Sequence, residues 1–224
     1  MANNFDLQEQ EQLEELKHFW KTWGNLITWV LIVVMGAIAA WNGWRLWQGR
    51  QAQQATGLAE AVESAALAAD ASRVQQAFEE LKSGYGGTVQ AGQAGLLAAR
   101  TLAEAGKADE ARAALGWVAD KASDEGLKAL ARLRLAALLV EQKSYDEALA
   151  QLSAGMPAQF AALLADRKGD VLALQGKKTE AVEEYRRAWK ALDGRIDYRQ
   201  LVEAKLNALG VETVAAAATT GGAQ

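Results

Sequence analysis

The sequence predicts an all-α protein in which a single bilayer-crossing helix precedes a stack of helical hairpins. Three observations carry this reading. An uncharged run of 23 residues stretches from Thr22 to Trp44 between Lys21 and Arg45. The remainder is rich in alanine, holds one proline and no cysteine, and has few β-branched runs, a composition that favours helix. Short turn-and-start motifs then recur at intervals of 33 to 37 residues.

Residues 1–21 form an acidic tail with five acids and two lysines. Leu13, Leu16, Phe19 and Trp23 recur at helical spacing, so a helix is expected to lead into the apolar run. His18 is the only histidine, and no partner residues stand near it in sequence to build a catalytic or metal-binding set.

The apolar run, read as the span 22–44, would measure about 35 Å as a helix, against a hydrocarbon core of about 30 Å. Trp20 and Trp23 stand at one end and Trp41, Trp44 and Trp47 at the other. Tryptophan favours the membrane interface, where its ring is apolar and its N–H stays wet, so these five are the expected interface anchors. A buried helix of a soluble domain leaves the paired aromatic ends unexplained. A cleaved signal peptide, cut at Ala37-Ile38-Ala39, conflicts with an acidic leading segment and with an apolar run that continues past the cut. Gly36 with Ala40, and Ala39 with Gly43, give two overlapping small-xxx-small spacings, and Gly36, Ala40 and Gly43 are candidates for a helix–helix contact in lipid. Lys17 and Lys21 precede the span and Arg45 and Arg50 follow it, so charge does not orient the chain.

Beyond the span, 45–83 reads as membrane-proximal helices. Ser72-Arg73-Val74-Gln75 has capping-box spacing and is expected to start a helix toward Lys82. Ser83-Gly84-Tyr85-Gly86-Gly87-Thr88 is expected to break it as an interhelical loop, since no lysine-bearing phosphate-loop pattern follows. From Arg45 onward 23 acids face 22 bases, without a basic stripe for nucleic acid.

Residues 88–210 carry the repeats. Gly106-Lys107-Ala108-Asp109-Glu110-Ala111, Lys143-Ser144-Tyr145-Asp146-Glu147-Ala148 and Gly176-Lys177-Lys178-Thr179-Glu180-Ala181 each follow an apolar helix and open another. Taking Ala77, Ala111, Ala148 and Ala181 as equivalent gives a period close to the 34 residues of the tetratricopeptide repeat. Ala99, Leu102 and Leu115, then Ala136, Leu139 and Leu152, then Gly169, Leu172, Tyr185 and Ala188 fill the matching packing positions. The repeat's early Trp and terminal Pro are missing. Ser144-Tyr145-Asp146-Glu147 is a second capping box, and Pro157 suits the first turn of the next helix. Asp197 to Leu209 reads as a closing helix with Gly210 after it, and 211–224 as a disordered tail.

Chemistry is scarce. With one His and no Cys there is no triad, thiolate site or cofactor loop, so the chain is expected to be no enzyme and to need no cofactor. Asp166 and Asp170 sit at i, i+4, a spacing read as a solvated face rather than an acid–base pair or a metal site. If the first helix of each hairpin lines a groove, Gln93, Leu96, Arg100, Leu130, Leu133, Leu163, Asp166 and Asp170 face it, with intramolecular core as the rival role for the leucines.

The stretch Glu11-Gln12-Leu13-Glu14-Glu15-Leu16-Lys17-His18-Phe19-Trp20-Lys21-Thr22-Trp23-Gly24, one span and degenerate repeats to the C-terminus together resemble the YfgM family, ancillary subunits of the bacterial SecYEG translocon. The resemblance implies a single-pass protein of the bacterial inner membrane with its N-terminus in the cytoplasm and its repeats in the periplasm. It also implies the SecYEG translocon and the membrane-anchored chaperone PpiD as partners, alongside the lipid bilayer and client polypeptides. The expected role is a scaffold that holds chaperones near exported chains; the alternative is an envelope scaffold for cell division or cell-wall synthesis.

Overall fold

The computed structural model describes residues 7–192 and 196–211, with side chains from Lys17 onward other than that of Ile196. Among these residues the regular elements are helical: α1 (Leu7–Leu67), α2 (Ala71–Tyr85), α3 (Val89–Glu104), α4 (Ala108–Lys121), α5 (Glu125–Glu141), α6 (Tyr145–Ser153), α7 (Ala161–Leu174), α8 (Lys178–Ala191) and α9 (Ile196–Ala208), with a 3-10 turn at Ala158–Phe160 before α7. The expected disordered tail lies, apart from Val211, outside the described residues.

The chain divides into two units, Met1–Gln51 and Ala52–Gln224. In the first, α1 holds its apolar side chains outward: Trp29 is 62% exposed, Val33 66% and Met35 69%. Within this unit they are bare, unlike those of a helix buried in a soluble core. Hydroxyls within the helix are satisfied locally, Thr28 Oγ1 donating to Gly24 O at 2.8 Å and Thr22 Oγ1 to His18 O at 2.9 Å. Such back-bonding removes the cost of carrying a hydroxyl into hydrocarbon.

The second unit is a run of hairpins: α3 with α4, α5 with α6 and α7 with α8, closed by α9 and preceded by the last sixteen residues of α1, which share a core with α2 through Ala55, Val62, Ala65, Val74, Phe78 and Leu81. Their turns share one construction. Ala69, Gly106, Lys143, Gly176 and Gly210 take positive φ, and the amide after each reaches back five residues, as in Lys107 N to Leu102 O at 2.9 Å and Ser144 N to Leu139 O at 2.8 Å. That bond satisfies a carbonyl the ending helix would otherwise strand. Five residues past the turn comes the most tightly enclosed position, Val74, Ala111, Ala148 and Ala181, each 0% exposed. Small side chains there let the paired axes approach closely. The first hairpin therefore aligns on Val74, not on Ala77, which is only half-buried three residues later.

Two capping expectations change. Asp70, not Ser72, caps α2, its Oδ1 accepting from Ser72 N at 3.2 Å and Arg73 N at 3.0 Å. The left-handed turn at Ala69 moves the helix start two residues upstream of the Ser72 box. Ser144 stands at the cap of α6 but its side chain makes no capping bond. Thr88 and Asp124 cap α3 and α5 through Ala91 N and Leu127 N.

The interior forms two clusters. One joins residues from Ala55 to Leu152 with Val171, including the fully enclosed Leu81, Val118, Leu139 and Leu152. The other gathers Ala162, Leu172, Ala181, Tyr185, Ala188, Val202 and Leu206 from α7, α8 and α9. Each large aliphatic side chain removed from water contributes about 1.5–3 kcal/mol before the entropy of ordering is charged against it.

Candidate functional site

On the first unit the expected anchors are bare. Trp20, Trp23, Trp41, Trp44 and Trp47 are 51–66% exposed. Trp44 and Trp47 lie with ring centroids 5.4 Å apart, and the Trp20 ring lies against Gly24. Gly36, Ala40 and Gly43 form part of the same uncovered surface, with no other side chain within 4 Å of where a Cβ would sit on either glycine. By length and composition this helix can cross a membrane.

In the repeat unit the eight expected groove residues separate into three groups: solvent-facing, apolar, and the pair Asp166 and Asp170, which bind Lys205. Gln93 and Arg100 on α3 face solvent. Leu96 is 6% exposed and belongs to the core, and Leu130 and Leu133 pack half-buried against the same cluster. Leu163 is likewise half-buried on α7. The solvated-face and groove readings of Asp166 are both overturned, because the side chain is 0% exposed beneath α9.

A cleft of about 260 Å³ opens between α3 and α5, lined by Ala99, Ala103, Leu115, Ala137 and Leu138 together with the charged Arg100, Arg134 and Glu141. Arg100 Nε donates to Glu104 Oε1 at 2.8 Å, within its own helix. Arg134 Nη1 donates to the Leu96 carbonyl at 3.4 Å and so bridges α5 to α3. The floor of the cleft is apolar and it is flanked by charges of both signs.

The polar centre of the unit lies elsewhere, where α9 meets α7 and α8. Lys205 Nζ donates at 2.7 Å to Asp166 Oδ1 and at 2.7 Å to Asp170 Oδ1. Tyr198 OH donates to Asp166 Oδ2 at 2.7 Å, and Tyr185 OH to Asp170 Oδ1 at 2.8 Å. The ammonium also sits 5.4 Å from the Tyr185 ring centroid, and Arg167 reaches Asp170 Oδ2 from outside at 3.3 Å. Each Asp166 oxygen thus has a charged or hydroxyl donor, which is what a sealed carboxylate requires. Burial, then donation to Asp170 and Asp166 respectively, pushes the Tyr185 and Tyr198 hydroxyls well above the usual tyrosine range. Both phenols consequently act as fixed donors rather than acids. Among the described residues no three His, Cys, Asp or Glu side chains converge as a metal site would need.

Sequence reasoning missed Tyr185's hydroxyl role, Tyr198 and Lys205. The signal was available in register. Ten residues before the turn, α3 has Leu96 and α5 has Leu133, whereas α7 has Asp166. An acid at an otherwise apolar stacking position calls for a cationic partner on the next helix.

Comparison with known proteins agrees with this architecture. Residues 17–211 match a family model described as a tetratricopeptide repeat-like domain. Over 204 residues the chain is 37% identical to the ancillary SecYEG translocon subunit of Neisseria gonorrhoeae (strain ATCC 700825 / FA 1090), covering 91% of this chain and 98% of that protein. With a bare apolar helix ahead of hairpins that share one turn geometry, and with a match running from the juxtamembrane residues to the closing helix, the chain belongs to the tetratricopeptide repeat-like family that includes the ancillary SecYEG translocon subunit.

Proposed function

We propose that this protein is a non-catalytic, membrane-anchored scaffold that associates with the SecYEG translocon and brings a periplasmic chaperone of the PpiD kind to newly exported chains. The observation that carries the reading is 37% identity extending over 98% of a relative named for its place at that translocon. An alignment of 204 residues, covering 91% of this chain and so longer than the repeats alone, supports a shared role.

In this reading residues 22–44 cross the inner membrane, residues 1–21 lie in the cytoplasm and the repeats lie in the periplasm. Charge does not decide the orientation, which rests on likeness to the family. Tethering supports the role physically, because holding a weak binder beside the exit of the translocon raises its effective concentration for short-lived partners. The α3/α5 cleft, edged by Arg100, is the surface assigned to such contacts, with the exposed Gln93 on the same helix.

Purification of the tagged full-length chain from membranes in mild detergent tests the reading. Enrichment of translocon subunits together with a chaperone supports it. Enrichment of division or cell-wall proteins with no translocon subunit overturns it in favour of another envelope scaffold.

A further inference from the structure

The contact that closes the stack is chemically unlike the one between α3 and α5. There Leu96 belongs to the apolar core; at the equivalent place on α7, Asp166 and Asp170 hold the Lys205 ammonium of α9. Two more polar atoms near α9, Trp189 Nε1 and Arg199 Nε, are buried without a hydrogen-bond partner among the described residues, although the Arg199 guanidinium stacks 3.7 Å from the Trp189 ring centroid. Apolar attachment of α9 comes chiefly from Val202 and Leu206. Detaching α9 returns charges and orphaned donors to water, which offsets the packing given up, whereas separating an apolar seam has no such compensation.

The face left behind is specific. It takes a helix presenting Tyr198, Val202, Lys205 and Leu206 in register, and the α9 of a second copy presents them identically. We propose that α9 exchanges between copies, the Lys205 of one chain seating between Asp166 and Asp170 of another, so that two repeat stacks are joined reciprocally. Every bond of the clasp is remade in the exchanged pair, and the balance between closed and exchanged forms is then set by local chain concentration.

A carbodiimide tests this on the unmodified protein, because Lys205 and Asp170 are 23% and 29% exposed and their ion pair can be fixed as an amide. Full-length chain in ordinary and nitrogen-15 forms is mixed in detergent micelles at rising chain density, treated and digested. The expected result is a Lys205–Asp170 link joining one light and one heavy peptide, growing several-fold with density, and lost in Lys205→Arg, which keeps the ion pair but forms no amide. Links that stay within one isotope at every density overturn the proposal.

Charge exchange gives a second reading should the amide fail to form. A Lys205→Glu chain and an Asp170→Lys chain each repel their own α9, but their mixture can pair in trans. Co-elution of the two as a complex supports exchange between copies. Two chains that remain separate after mixing overturn it.

Discussion

Lys205 Nζ lies 2.7 Å from Oδ1 of Asp166, a carboxylate with no exposed surface, across 39 residues of sequence. Removing the ammonium leaves that charge sealed and half-satisfied, the costliest way to break a buried pair. Lys205→Met is expected to destabilise the repeat unit by about 3–5 kcal/mol, read by urea unfolding followed by circular dichroism in micelles. Adding Asp166→Leu to Lys205→Met should recover most of the loss, since an apolar pair restores what α3 and α5 have at this place.

Alkaline pH should weaken the same region. Tyr185 and Tyr198 have folded-state values raised above the ordinary 10, so below about pH 10 their protons are bound in folded and unfolded chains alike. Above that, the unfolded chain releases protons that the folded chain retains, and stability falls as pH rises. Urea midpoints should decline beyond pH 10, and the decline should be shallower in Tyr185→Phe and Tyr198→Phe. Absorbance near 295 nm should show these two phenols ionising only with unfolding.

Gly169 permits the approach of α7 to α8. A Cβ at Gly169 would lie 2.5 Å from Tyr185 Cε1, well inside contact distance. Gly169→Ala is expected to cost about 1–3 kcal/mol by overpacking. Pairing it with Tyr185→Leu should return part of that loss in thermal melts, at the expense of the Asp170 hydrogen bond.

The turn residues offer opposite signs at equivalent places. Lys143 holds φ at +60 where Gly106 and Gly176 hold +75 and +76. A left-handed residue with a side chain is strained by about 1–2 kcal/mol, and glycine returns some of this gain as entropy. Lys143→Gly should therefore raise stability by up to about 1 kcal/mol, whereas Gly106→Ala should lower it by about 1 kcal/mol.

Depth in the bilayer is measurable on the tryptophans. Variants retaining one tryptophan at a time, reconstituted with lipids brominated at defined depths, should show Trp29 quenched by deep bromines. Trp20, Trp23, Trp41, Trp44 and Trp47 should be quenched by shallow ones. Equal quenching of all six by the shallow lipids would mean that the helix lies on the surface.

The helical repeat was legible because its determinants are local. Gly106 and Gly176 mark left-handed turns, and Ala111, Ala148 and Ala181 follow at a fixed distance. The first hairpin was misaligned for a local reason as well: Ala69 adopts positive φ without being glycine, so nothing flagged the turn that makes Asp70 rather than Ser72 the cap. Asp166 was misread for a different reason. Its surroundings are set by Tyr198 and Lys205, and i, i+4 spacing on one helix says nothing of a helix more than 30 residues away. Leu96 and Leu133 show the same limit, since periodicity identifies the apolar face of α3 and α5 but not which neighbour covers it.

Photocrosslinking in intact membranes tests the central claim most directly. Benzoylphenylalanine placed at Met35, the most exposed large hydrophobic side chain near the middle of the span, and at Arg100, beside the α3/α5 cleft, would report what touches the anchor and what touches the repeats. A translocon-associated scaffold predicts adducts with SecYEG subunits from the span position and with a periplasmic chaperone or exported chain from the cleft position. Adducts to unrelated envelope proteins from both positions, or recovery of the full-length chain in the soluble fraction, would contradict it.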